Sequence, residues 1–191
     1  MELNDLFKVN VDDVAPEKRE ESRRELADHF GPFSRDLKIP IEIIVARKFD
    51  ETVGRILSNK FGVEIHYSAK RKEVIAIAKT IPYLQNDRLG FIVIFDASAF
   101  GAWENEQCLW RRLTFSHETT HIIGDKALYD NIGSNAFISE PMTADDILFR
   151  LAHEIWMEYY AERLSLDNFI EALKEMFPNA RLQVFRYMKD I

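Results

Sequence analysis

Apolar and polar positions recur along this chain with two periods, and the switches between them divide it into elements. Pro16 heads the charged run Glu17-Lys-Arg-Glu-Glu-Ser-Arg-Arg-Glu-Leu-Ala27. Proline suits an opening turn and opposite charges stand one turn apart, so the run predicts a first helix. Leu37 to Ala46 is apolar and β-branched, a pattern that fits a strand or a buried helix equally. Asp50 stands at a cap position, and Val53, Ile56, Leu57 and Phe61 recur at helical spacing up to Gly62, which predicts a helix with a left-handed stop. Val63–Tyr67, Glu73–Ala78 and Leu89–Phe95 read as three strands of an antiparallel meander, separated by charged or proline-containing turns. Helical spacing returns from Leu109 to Ile123 with Gly124 as its stop, followed by a long loop-like stretch from Asp125 to Pro141. Thr143-Ala-Asp-Asp146 resembles a capping box and opens a helix to about Leu166, on which Ile147, Leu151, Ile155 and Glu158 share a face expected to be buried. Two short helices, Asn168–Met176 and Asn179–Met188, close the chain. The order helices, small sheet, helices indicates an α+β fold: a three-stranded antiparallel sheet packed on two helices, with additional helices at both ends. Residues 1–40 read as a helical extension of a single compact domain over residues 41–191.

Composition narrows the function. With 25 Lys+Arg against 32 Asp+Glu, the net charge of −7 opposes the counterion release that drives nucleic-acid binding. No basic patch interleaved with aromatic residues offsets it, so direct nucleic-acid binding is not expected. The most apolar short run, Phe91-Ile-Val-Ile-Phe95, falls far below the roughly 20 residues needed to span a bilayer, and no membrane association is expected. The opening Met1-Glu-Leu-Asn-Asp5 has no basic stretch leading into an apolar one, so no signal peptide is read. Cys108 is the only cysteine, which excludes an intrachain disulfide and an all-cysteine metal site. It reads as a small buried apolar residue in a reducing, cytoplasmic setting.

The chemistry is concentrated in His117-Glu118-Thr119-Thr120-His121. Histidines four apart on a helix lie on one face, where both imidazoles can reach one tetrahedral Zn²⁺. Glu118, rotated about 100° from His117, is placed to act on a water as general base instead of binding the ion. A catalytic zinc site takes three protein ligands, and the remaining histidines are His29, His66 and His153. The acid-rich second helix offers Glu154, Glu158 and Glu162. Glu158 shares the stripe of Leu151 and Ile155, where a carboxylate needs a partner such as a metal. Glu154 and Glu162, one turn to either side, remain alternatives, as does His153, which lies about 140° around the helix from Glu158 and otherwise reads as structural. With Glu158 as ligand, Glu162 is a candidate to accept the outer N–H of a ligating histidine. Tyr129, Tyr159 and Tyr160 are possible hydroxyl donors, though tyrosines at helical spacing more often belong to the core.

Taken together, Gly90-Phe-Ile-Val-Ile-Phe95, then Arg111-Arg-Leu-Thr-Phe-Ser-His-Glu-Thr-Thr-His121, then a helix carrying Glu158-x-x-Ala161 resembles the ImmA/IrrE family of zinc metallopeptidases over about Asp50 to Leu166. The resemblance implies His117, His121 and Glu158 as zinc ligands, Glu118 as general base, and a protein substrate, in that family often a regulator such as a repressor. Thr119-Thr120 stands where the family commonly has Leu-Gly, which indicates a divergent branch. The expected activity is hydrolysis of a peptide bond in a protein or peptide. The substrate would be held as an added strand along Leu89–Phe95 or Glu73–Ala78, with Asp125–Pro141 as a lid. Two other classes fit the same residues: a non-enzymatic metal-binding regulator that acts by binding a protein, and a zinc hydrolase of a non-peptide substrate.

Overall fold

The computed structural model describes residues 6–71, 74–100, 105–137 and 143–176. Along them run β1 (Phe7–Asn10), a 3-10 turn (Pro16–Lys18), α1 (Arg19–Leu37), β2 (Ile41–Ala46), α2 (Phe49–Phe61), β3 (Lys70–Arg71), β4 (Val74–Ile75), β5 (Ala78–Gln85) and β6 (Arg88–Asp96). A 3-10 turn (Ala97–Phe100), α3 (Asn105–Ile132), a 3-10 turn (Ser134–Phe137) and α4 (Ala144–Met176) follow.

The fold is α+β, but the expected three-stranded antiparallel sheet is replaced by a four-stranded mixed one of order β1-β2-β6-β5. β1, β2 and β6 are mutually parallel, and β5 joins β6 as an antiparallel hairpin. The ambiguous run Leu37–Ala46 divides into the end of α1 and the interior strand β2. Covered on both faces, β2 is apolar at nearly every position, and that removes the alternation by which strands are read. Ile41, Ile43 and Val45 join Phe91, Val93 and Phe95 of β6 in one core with Leu26 and Phe30 of α1 and Phe115 and Ile122 of α3. Ala46 and Ile94 face the other side, against Phe49 and Val53 of α2 and Ile81 of β5. Residues 6–37, read from the sequence as an extension, thus supply an edge strand and a helix to the same core.

Val63–Tyr67 forms no strand. Its backbone is tied to α2 instead: Ile65 N donates to Ser58 Oγ (2.8 Å) and Ala69 N to Asp50 Oδ1 (3.0 Å). Asp50 therefore holds the chain just past this segment, at Ala69, and does not cap α2, whose N-cap is Lys48. The expected strand Glu73–Ala78 is displaced: β4 is two residues long, and the long strand β5 continues through Pro82. Proline is tolerated there because β5 is an edge strand.

Gly124 does not stop α3, which ends at Gly133 with φ +80°. Gly124 instead faces α4, where a Cβ would clash with Met157 Cε and Sδ. The expected loop and lid over Asp125–Pro141 is largely the last two turns of α3 and a 3-10 turn, with residues 138–142 outside the described residues. The capping box is present: Asp146 N donates to Thr143 Oγ1 (3.2 Å) and Thr143 N to Asp146 Oδ2 (2.9 Å). α4 then continues past Leu166 without a break and absorbs Asn168–Met176, while Asn179–Met188 lies outside the described residues. No helix among the described residues is long and apolar enough to cross a membrane.

Candidate metal centre

α3 presents His117 and His121 on successive turns, their Nε2 atoms 3.1 Å apart. α4 packs alongside and brings Glu158 Oε2 to 3.5 Å from His117 Nε2 and 3.7 Å from His121 Nε2. These ligand atoms lie close enough together to bind a metal ion. Three donors on a tetrahedral ion with bonds of about 2.0–2.1 Å would stand roughly 3.3 Å apart, and the separations here match that figure within a few tenths of an ångström. The electrostatics agree. Burial works against a charge on His117, but the hydrogen bond to Glu158 and the charges of Glu118, Glu158 and Glu162 outweigh it and raise its pKa. Hydrogen bonding from His117, then from His121, holds Glu158 far below the usual carboxylate range. The cluster favours a positive charge at its centre.

Glu158 arrives from a different face than the stripe predicts. Leu151 and Ile155 are 51% and 71% exposed, and Ile147 is exposed too. The face of α4 that meets α3 carries Met157, Ala161 and Ser165, all buried. Glu158 is one residue, about 100°, from Met157 and so sits on the rim of the contact, where it reaches the histidines and still meets solvent. Glu154 lines the neighbouring cleft, and Glu162 adds to the negative potential at His117. His153 pairs with Asp125 Oδ1 at 2.9 Å. Tyr129 donates its hydroxyl proton to the Asp87 carbonyl, and Tyr159 and Tyr160 are exposed.

Glu118 is buried at 5% exposure and accepts a 2.6 Å hydrogen bond on Oε2 from Thr80 Oγ1 of β5. On the next residue, Thr119 Oγ1 meets His29 Nε2 of α1 at 2.9 Å. The sequence gives no sign of Thr80, and it offers His29 only as one of the remaining histidines for the metal, whereas the structure sets it against Thr119. Thr80 sits two residues before Pro82 in a run that does not read as a strand, and its link to Glu118 spans 38 residues. Asp125 carried a usable signal, since it follows His121 by four residues on the same face of α3.

A cleft of about 570 Å³ opens beside His121 and Glu158, between Lys79, Thr80 and Pro82 of β5 and the first turns of α4. Of the two strands expected to hold a substrate, Leu89–Phe95 lies in β6, which is paired on both sides, and Glu73–Ala78 meets the edge strand only at Ala78. β5 is the edge. Its hairpin turns through Asn86 and Asp87, both with positive φ, as in a two-residue type I′ turn. Hydrogen-bonded pairs then alternate from Gln85↔Arg88, and Asp96 N donating to Ile77 O fits that alternation. Ala78, Thr80 and Pro82 consequently turn their backbone groups outward. Pro82 has no N–H, and its carbonyl accepts Lys60 Nζ at 2.5 Å. No protein family, curated protein or solved structure matches the chain.

Proposed function

We propose that this chain is a zinc-dependent metallopeptidase of ImmA/IrrE-like type, with His117, His121 and Glu158 as ligands and Glu118 as general base. The observation that carries the reading is the convergence of the α4 carboxylate with both α3 imidazoles, with a separate buried carboxylate on the adjoining residue. Two imidazoles and one carboxylate with an open position form a zinc hydrolase donor set. A zinc ion held there would supply a water that loses its proton near neutral pH and would polarise the scissile carbonyl. Glu118 takes that proton and returns it to the departing amine. The outward backbone groups of Thr80, which lines the cleft, suit an extended peptide there, adding it to the sheet as a strand.

Metal analysis and peptide digestion test this together. Wild type should carry about one zinc per chain, lost in Glu158→Ala and kept in Glu154→Ala. Cleavage of a mixed peptide pool, read by mass spectrometry, should fall by about 10²-fold or more in Glu118→Gln while the zinc stays bound. Wild type that takes up no zinc, or a Glu118→Gln variant that cleaves normally, would overturn the proposal.

A further inference from the structure

The hydrogen bond from Thr80 Oγ1 to Glu118 Oε2 ties the sheet to the acid-base residue of the site, and both partners are nearly sealed from water, at 8% and 5% exposure. Resting on the hydrolase reading above, we infer that Thr80 is the positioning residue for Glu118: its hydroxyl holds Oε2 and leaves Oε1 as the atom that takes and returns the proton.

The terminal torsion of a glutamate is broad and roughly two-fold, so a carboxylate without a partner is poorly aimed. A buried donor at 2.6 Å removes that freedom. Threonine is a suitable donor because its branched Cβ restricts χ1. The platform is rigid as well: Thr80 is paired with Val93 of β6 in the middle of the hairpin, and Ile81 next to it is buried in the opposite core. A site held by a strand is held more exactly than one held by a loop. The chemistry of the donor matters too. The donor is a neutral hydroxyl, so it orients the carboxylate without setting a second charge beside it. Thr80 also turns its backbone toward the cleft that borders His121 and Glu158. One residue therefore touches the place where an extended substrate would lie and sets the direction of the base beside it.

The test compares Thr80→Val, which keeps the shape without the hydroxyl, with Thr80→Ser, which keeps the hydroxyl. Wild type, both variants and Glu118→Gln are loaded with Co²⁺, and their visible spectra are recorded at one pH. Turnover of a casein-derived peptide pool by the zinc forms is measured alongside. Thr80→Ser should overlay wild type in both measurements. Thr80→Val should bind the metal with a spectrum displaced toward that of Glu118→Gln, and its kcat should fall about tenfold or more with KM unchanged. If Thr80→Val gives no cooperative melt, Thr80→Ala replaces it with the same expectations. A hydroxyl-free variant with the wild-type spectrum and kcat overturns the inference, as does a Thr80→Ser variant impaired as much as Thr80→Val. Wild type that binds cobalt and cleaves nothing fails the hydrolase reading alone, and the cobalt spectra then decide the placement of Glu118. Wild type that binds no cobalt overturns both.

Discussion

His29 shows how one residue outside the metal cluster ties the N-terminal helix to the site. Its ring lies 4.8, 5.9 and 5.3 Å from the rings of Phe30, Phe33 and Phe115, and its Nε2 meets Thr119 beside Glu118. Burial lowers its pKa, opposed only in part by a hydrogen bond to the Phe115 backbone. The unfolded chain, where histidine titrates near about 6.5, therefore binds more protons than the folded one at mildly acidic pH. His29 contributes its full stability above that value and loses it as pH falls toward the lowered folded pKa. His29→Gln keeps a polar group for Thr119 but does not titrate. Its urea midpoint should consequently drop less than that of wild type between about pH 7 and pH 5. Parallel pH dependences in the two proteins would show that His29 is not the group responsible. The paired histidines of the metal cluster were legible in the sequence because their geometry is set within one helix. Glu158 is reached for the wrong local reason: the stripe that singles it out is exposed, and its neighbour Met157, on the face packed against α3, is what brings it to the histidines.

The same division between local and long-range causes runs through the elements. The helical spacing of α2, the capping box of α4 and the apolar run of β6 are properties of short windows, and all three could be read. β2 was ambiguous because burial on both faces erased its alternation, and β5 was missed because Pro82 is admissible only at an edge that the sequence does not reveal. Val63–Tyr67 has strand-like composition but is claimed by α2 through Ser58, and just past it, at Ala69, through Asp50. Gly54 tests that account. A Cβ there would meet the Ile65 carbonyl oxygen at 2.8 Å, a backbone atom with little room to yield. Replacing glycine by alanine inside a helix ordinarily stabilises by about 0.5–1 kcal/mol. Gly54→Ala should reverse that sign and cost about 1–3 kcal/mol, as overpacking does, read as a lower denaturant midpoint. On α4, Ile155→Ser should change stability by less than about 0.5 kcal/mol because the side chain is already in solvent, whereas Met157→Ala should cost about 2–5 kcal/mol. Equal costs at these two positions would place α4 in a different rotation about its axis.

At the scale of the whole molecule, the N-terminal segment decides whether the metal centre has a scaffold at all. β1 covers one edge of β2, and Leu26 and Phe30, both fully buried, pack in the core that contains Phe115 of α3, the helix of His117 and His121. Arg111 of α3 is paired with Glu25 of α1 at 3.2 Å, with the guanidinium side chain 2% exposed. Removing residues 1–38 would strip these contacts together and leave Arg111 without that partner. Truncating a single large core side chain costs about 2–5 kcal/mol, and a whole domain is stable by only about 5–15 kcal/mol. Two such residues and the lost ion pair of Arg111 with Glu25 are enough to consume that margin. A metal ion at the candidate site, present at 100 times its dissociation constant, would add back only about 2.7 kcal/mol. A chain of residues 39–191 should therefore show no cooperative melt by circular dichroism and no dispersed amide spectrum, with or without zinc. If that chain instead folds and binds zinc with wild-type affinity, the first helix and strand are an appendage after all, and the shared core would have to be redrawn around the sheet and α3 alone.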